Sequence, residues 1–206
     1  MNVVVLGAQG AGKGIISTFL KEKYGFCHIS TGQLFRDEIS KKTKLGDLLA
    51  FYMNKGELVP DDVVFKILEK VLNNSDSFIL DGFPRNIQQA KRLDELTKID
   101  LVVNIEVPNE ILIQRLTARR NCPNCKETFS MLTYNSNFCN KCNELLVQRD
   151  DDVPEAISKR LEIFYKNIEP IINFYKQKNI LASIDNTGNV EQTYKLIEKI
   201  IKNLKN

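Results

Sequence analysis

Apolar residues recur along this chain in two rhythms. Short, nearly continuous apolar runs occupy residues 3–6, 27–29, 78–80, 101–107 and 180–184. Runs of that length predict strands buried on both faces. Between them, residues 14–23, 61–72, 87–96, 110–119 and 190–204 carry patterns compatible with helices. Such alternation predicts an α/β fold, with a five-stranded parallel sheet covered by helices on both faces.

Two stretches leave this rhythm. Residues 31–60 are helical in pattern but contain no strand, and residues 121–148 turn polar, loop-like and rich in cysteine. Both read as excursions inserted where loops overhang the carboxyl ends of the strands. Pro154, directly after Asp150-Asp151-Asp152, marks a helix start. Pro170 predicts a bend or break in that helix. The tail at 199–206, rich in lysine and asparagine, reads as a fraying helix end, and the chain shows no internal repeat.

The strongest chemical signal lies where the first strand ends. Residues 7–13 read GAQGAGK, between the apolar run and the first helical stretch. This is the glycine-x4-glycine-lysine core of a P-loop in the strand–loop–helix setting the motif requires. The glycines let several backbone N–H groups converge on one phosphate, the helix adds its positive end, and Lys13 adds an ammonium. A plain strand-to-helix turn is the alternative, but the loop, the lysine and the flanking elements together point to a nucleotide.

Composition narrows the class. The 206 residues fit one sizeable domain with insertions, and the 43% hydrophobic and 27% charged fractions are ordinary for a globular protein. A net charge of +3 is too small to imply nucleic-acid binding, and basic residues at a phosphate site account for it. No stretch approaches the ~20 apolar residues of a membrane span. The N-terminus leads straight into a strand, and the expectation is a cytoplasmic protein. Four of the five cysteines form two pairs, Cys122-x2-Cys125 and Cys139-x2-Cys142, thirteen residues apart. In such a protein that spacing reads as metal ligation, with four thiolates around a structural Zn²⁺. Cys27 reads as a small buried hydrophobe. His28, the only histidine, reads as structural, with no acidic neighbour in the sequence.

Further motifs surround this core. Asp81-Gly82-Phe83-Pro84-Arg85 follows the run at 78–80. An aspartate at a strand end facing a P-loop suits Mg²⁺ held through water, and an arginine can fork two hydrogen bonds onto a phosphate. The bland alternative is a turn with a surface charge. In Ser30-Thr31-Gly32, the threonine can cap a helix that also carries Arg36. Arg115, Arg119 and Arg120 precede the cysteine segment, and Arg149 and Arg160 follow it. Surface arginines are usually solvated, but these flank both sides of an apparent lid.

In order and spacing, these motifs resemble the adenylate kinase family, in its long-lid, zinc-bearing form, over essentially the whole chain. The resemblance rests on GAQGAGKG, the STG segment with Arg36, DGFPR followed by Gln89, Arg119-Arg120, the cysteine lid and its Arg149-Asp150-Asp151-Asp152 exit. It implies a core (1–30, 60–120, 150–206), an AMP-binding insertion (31–59) and a zinc-ribbon-like lid (121–149). It implies that Gly10, Ala11, Gly12, Lys13, Gly14, Ile15, Arg115, Arg119 and Gly188 contact ATP. Thr31, Gly32, Arg36, Gly82, Arg85, Gln89, Arg149 and Arg160 would contact AMP, with Gln89 reading the adenine edge. Lys13, Asp81, Arg85, Arg119, Arg149 and Arg160 would carry catalysis with Mg²⁺, and Cys122, Cys125, Cys139 and Cys142 would hold zinc. The implied reaction is reversible phosphoryl transfer from ATP, or from other nucleoside triphosphates, to AMP. No general base is needed, because the attacking phosphate is already an anion. The default is a monomer without nucleic-acid or membrane partners.

Three positions depart from the family pattern: Gln9 for the usual proline, Ile15 for threonine and Gln33 for aspartate. Asp185-Asn186-Thr187-Gly188 departs as well, where the donor base would lie. The competing readings are another nucleoside monophosphate kinase with a different acceptor or several donors, and a non-catalytic zinc-ribbon protein that binds nucleic acid. The modest net charge and the near absence of aromatic residues interleaved with basic ones argue against the second.

Overall fold

The computed structural model of the chain describes residues 1–72, 75 and 77–205. The first half runs β1 (Val3–Gly7), α1 (Lys13–Tyr24), β2 (Cys27–Ser30), α2 (Thr31–Ser40), α3 (Lys44–Asn54), α4 (Asp61–Leu72), β3 (Phe78–Asp81) and α5 (Ile87–Leu96). The second runs β4 (Leu101–Glu106), α6 (Asn109–Thr117), β5 (Arg119–Asn121), β6 (Thr128–Ser130), α7 (Pro154–Gln177), β7 (Leu181–Asp185) and α8 (Val190–Lys205). The main sheet has the order β2-β3-β1-β4-β7 and is parallel throughout. The expected five-stranded parallel sheet is present.

Strand alternation explains the two-sided core. Val3 and Val5 point into one cluster with Ile16, Leu20, Leu112 and Leu116, whereas Val4 and Leu6 point into another with Phe65, Leu68, Ala90 and Leu93. Each strand residue therefore leaves water on one face or the other, which is why the runs read as continuously apolar. From β1 the chain turns toward β2, and from β3 it crosses to β4 on the far side of β1. The carboxyl ends of β1 and β3 thus flank a topological switch point, where α/β sheets open a crevice.

Several expectations are corrected. The helix through Pro170 does not break: α7 is continuous over 24 residues, about 36 Å. Ile157 and Leu161 anchor its first half in one core cluster, and Ile171 and Tyr175 anchor its second half in the other. Pro170 and Lys166 lie on the exposed side, where water can take the carbonyl that proline leaves unpaired. Cys27 is exposed rather than buried, because it is the first residue of an edge strand. His28 does have an acidic neighbour: its Nε2 lies 3.5 Å from Asp81 Oδ2 on the adjacent strand. The helix expected over 110–119 ends at Thr117, and Arg119 and Arg120 belong to β5. β5 pairs antiparallel with β6, so the cysteine segment begins with a hairpin rather than a loop. The tail is helical as far as Lys205, and Asn206 lies outside the described residues. Among the described residues, no helix is long and apolar enough to cross a membrane.

Candidate active site

The loop after β1 is built to receive an anion. Ala11 N–H folds back to Ala8 O at 3.1 Å, and Gly10 and Gly12 take φ values of 85° and 94°. Those left-handed conformations are open to glycine at little cost. Gly12 caps α1 without any side-chain hydrogen bond, which leaves first-turn N–H groups for a ligand. The Lys13 ammonium donates to Gly7 O and Ala8 O, each at 2.9 Å. Burial, against the pull of Asp81, pushes the Lys13 pKa down to about 8, and Arg85, Arg119 and Arg160 add to the effect.

A ring of half-buried arginines faces this loop. Arg85 is pushed down to about 10 and Arg149 to about 9, in both cases chiefly by burial. Burial also lowers the pKa of Arg36 and Arg160. Arg119 donates from Nε to Asp152 Oδ2 at 2.7 Å and from a terminal nitrogen to Oδ1 at 2.5 Å. Arg160 reaches Asp151 Oδ2 at 3.0 Å and Asp152 Oδ1 at 3.4 Å. Burial raises the Asp151 pKa, but Arg160, Arg119, Arg149 and Arg36 outweigh it and leave the carboxyl below its ordinary range. Arg149 Nε donates to Asn121 Oδ1 at 2.6 Å. Lys13, Arg36, Arg85, Arg119, Arg149 and Arg160 thus outnumber Asp81, Asp151 and Asp152 by three charges. A desolvated surplus of that size is a receptor for a polyanion.

The Phe83–Arg85 turn forms a second wall. Thr31 does not cap its helix; Ser30 holds the cap position, and the Thr31 hydroxyl lies 3.0 Å from Gly82 O. Arg85 N–H donates to Gln89 Oε1 at 2.7 Å, and Gln89 Nε2 donates to Asp61 Oδ1 at 2.7 Å. Gln89 therefore braces the backbone of Arg85 in this structure. Thr31, Phe35, Leu58, Val59, Val64, Gly82, Phe83, Arg85 and Gln89 line one small pocket that mixes apolar walls with polar groups. A larger cleft joins it to the phosphate loop through Gly82 and Arg85 and is lined also by Gln9, Lys13 and Arg160. Arg36 is parked on Gln33 Oε1, with Nε at 3.3 Å and a terminal nitrogen at 3.1 Å.

Away from this cleft, the four paired cysteines converge. Their sulfurs all lie within 4.8 Å of one another, with Cys122–Cys142 at 3.3 Å and Cys125–Cys139 at 3.5 Å. The N–H of Cys125 and that of Lys141 each point at a ligand sulfur from 3.4 Å. Burial opposes ionisation of Cys122, but the N–H groups of Cys125 and Asn124 and the neighbouring thiols prevail and bring it down to about 7. The Glu127 N–H favours the Cys125 thiolate, yet burial and the surrounding sulfurs push that thiol up to about 12. Four soft donors this close fit a tetrahedral Zn²⁺, whose charge would let all four ionise.

The sequence matches the family described as adenylate kinase over residues 5–180. It is 43% identical to an adenylate kinase of Archaeoglobus fulgidus over 216 aligned residues, covering all of both chains. It is 42% identical to one from Thermoanaerobacter sp., covering 98% of each chain. A third, from Thermodesulfovibrio yellowstonii, is 42% identical and covers 98% of this chain and 99% of its own. The chain belongs to the adenylate kinase family.

Within that adenylate kinase fold, Lys13, Arg85 and Arg160 line one cleft, and Asp81, Arg119 and Arg149 join through shared electrostatics. Arg115 and Gly188 lie off to the side: an Arg115 terminal nitrogen donates to Asn186 O at 2.9 Å, and a Cβ on Gly188 would meet open space. Ile15 stands beside the loop, 57% exposed. Four site residues escaped the sequence reading as individuals. Asp151 and Asp152 looked like helix-start charges, yet they are buried partners of Arg119 and Arg160. Asp61 secures Gln89, and Asn121 holds Arg149. The one available signal was the run of three aspartates directly after Arg149, a dense charge for a single helix end.

Proposed function

We propose that this protein catalyses reversible, Mg²⁺-dependent transfer of the terminal phosphoryl group from ATP to AMP, giving two ADP. The observation that carries the reading is the half-buried cationic surplus between an uncapped phosphate loop and a separate pocket behind Arg85. The loop would take the donor phosphates. Thr31, Gly32, Arg36, Gly82, Arg85 and Gln89 would line the acceptor side. Arg119, Arg149 and Arg160 would neutralise charge between the two, so that catalysis is positioning and electrostatics. Among the described residues the Asp81 carboxylate accepts no hydrogen bond and has only His28 as an ion-pair neighbour, so it is available to a metal-bound water. Mg²⁺ bound there would neutralise phosphate charge. We divide the chain into a core (1–30, 60–120, 150–206), an acceptor-binding insertion (31–59) and a lid (121–149) whose closure keeps water from the phosphoryl group. The reading places the protein in the cytoplasm as a monomer.

The test is a coupled assay with each nucleoside triphosphate as donor and each monophosphate as acceptor. ATP with AMP is expected to give the highest kcat/KM. A better acceptor than AMP would convert the reading to another nucleoside monophosphate kinase. No transfer, with salt-dependent binding of RNA or DNA, would favour the non-catalytic alternative.

The lid metal is expected to be structural. Purified protein should carry one zinc per chain on Cys122, Cys125, Cys139 and Cys142. Zinc supplies about 10 kcal/mol or more to small sites of this kind, so chelation should loosen the lid before the core. Metal analysis with hydrogen exchange checks this, and a zinc-free protein of equal thermostability would refute it. Cys27→Ser should leave the zinc content unchanged, since Cys27 is remote from the cluster in the fold.

The loop departures are expected to tune donor binding. Among the described residues the buried Gln9 Oε1 has no hydrogen-bond partner, and Ile15 offers no hydroxyl. Gln9→Pro with Ile15→Thr removes that orphan acceptor, stiffens the loop and adds a hydroxyl. ATP binding should tighten by about 1 kcal/mol, the size of one net hydrogen bond with a backbone restriction. Kinetics with four donors check it; unchanged values for every donor would mean that neither residue matters.

A further inference from the structure

We propose that Asn186 is a positioning residue for the donor phosphates, its carboxamide clamping the Ala11 carbonyl so that the Gly12 N–H is aimed into the phosphate loop. The proposal rests on the reading of the loop as the donor site. Asn186 follows β7, 6% exposed, and its backbone is fixed by an N–H···O bond to Glu106 at 3.0 Å. Its Nδ2 donates to Ala11 O at 2.7 Å, and its Oδ1 accepts from the Thr193 hydroxyl at 2.9 Å. Both bonds are buried. Ala11 O can only accept, so the amide has one workable orientation, and Thr193 reinforces it.

The consequence follows from peptide geometry. In a trans peptide, C=O and N–H point in opposite directions. Tethering Ala11 O to Asn186 therefore turns the Gly12 N–H away from Asn186, and among the described residues that N–H has no protein acceptor. The clamp and the loop are shaped for each other. Gly12 sits at φ 94°, and a Cβ there would lie 2.5 Å from Asn186 Nδ2. The main-chain oxygen of Asn186 also accepts from Arg115 at 2.9 Å, so one residue ties the phosphate loop to the arginine expected beside the donor base.

Aspartate at this position would set a carboxylate against a carbonyl and lose the clamp, while keeping the bond from Thr193. The test compares the full-length parent with Asn186→Asp and Thr193→Val. The probes are ATP, AMP and inorganic tripolyphosphate, which carries phosphates but no base. Asn186→Asp should weaken tripolyphosphate binding and raise KM for ATP by about tenfold, as for one lost buried hydrogen bond, with KM for AMP within about twofold. Thr193→Val should shift the same two constants by about threefold, and the double variant should be no worse than Asn186→Asp. Unchanged tripolyphosphate affinity in folded Asn186→Asp, or equal losses for AMP, would overturn the clamp. If Asn186→Asp does not fold, Thr193→Val decides alone, and an unchanged tripolyphosphate constant overturns the proposal. A parent that binds tripolyphosphate but transfers no phosphoryl group would refute the proposed activity, while the variant comparison would still decide the clamp.

Discussion

Lys13→Ala is expected to lower kcat by about a thousandfold, on the order of 4 kcal/mol of transition-state stabilisation. Lys13 is the cation rooted in the phosphate loop itself, and it waits on the carbonyls of Gly7 and Ala8 until an anion displaces them. Its pKa adds a second, independent signature. Lys13 is held at about 8 in the folded protein, against an ordinary value of 10.5. Between those two values the unfolded chain binds more protons than the folded one, so this residue makes stability rise with pH across that window. A bound polyphosphate reverses the effect by favouring the ammonium. The kcat/KM for ATP should therefore fall above about pH 8, with proton uptake on binding. In Lys13→Ala the fall should vanish, and the rise in ligand-free stability should lose the lysine's share while that of Arg149 and Arg85 remains. Paired pH–rate and pH–melting profiles read both, and a flat parent profile from pH 7 to 10 would contradict the assignment.

Arg85→Ala is expected to be nearly as damaging and to act on the acceptor. Arg85 is held by one side-chain bond, from Nε to Gly82 O at 2.9 Å. Among the described residues its two terminal nitrogens make no hydrogen bond, which leaves the fork free for a phosphate. A desolvated bidentate clamp of this kind contributes several kcal/mol, about a hundred- to a thousandfold in kcat/KM for AMP. The fold should survive, because removing a cation repelled by Arg160 and Arg36 relieves strain in the ligand-free site. Arg85→Lys should not restore activity, since an ammonium cannot reproduce the fork. Steady-state kinetics and thermal unfolding check both halves. A folded alanine variant with parental turnover would remove Arg85 from the site.

The sheet was legible because burial on both faces writes itself into sequence. Val3 to Leu6 feed two separate cores in alternation, and no polar residue interrupts them. The phosphate loop was legible because its glycines serve backbone geometry at fixed spacing. What stayed hidden depends on neighbours distant in sequence. Cys27 looks like core until the strand order puts β2 at an edge. His28 meets Asp81 only through the register that pairs Cys27 with Phe78 and Ser30 with Asp81. The β5–β6 hairpin begins Arg119-Arg120-Asn121, with no apolar alternation for a period-two reading to detect. Asn186 was visible only as a departure from a pattern, because its partners Ala11 and Thr193 declare themselves in space.

The aspartates at the exit of the cysteine segment set how that segment can move. Arg119 at its entry and Asp152 at its exit are joined by two hydrogen bonds, and Arg160 on α7 grips the same carboxylate. The two feet of the lid are therefore tied together and to the core's longest helix. In the proposed lid, such ties would favour a hinged swing over a sideways shear. Arg119 and Arg160 would then stay with the core, whereas Arg149, bonded to Asn121 within the proposed lid, would travel with it. Of these cations, Arg149 is the one that closure of the proposed lid would carry to the phosphates.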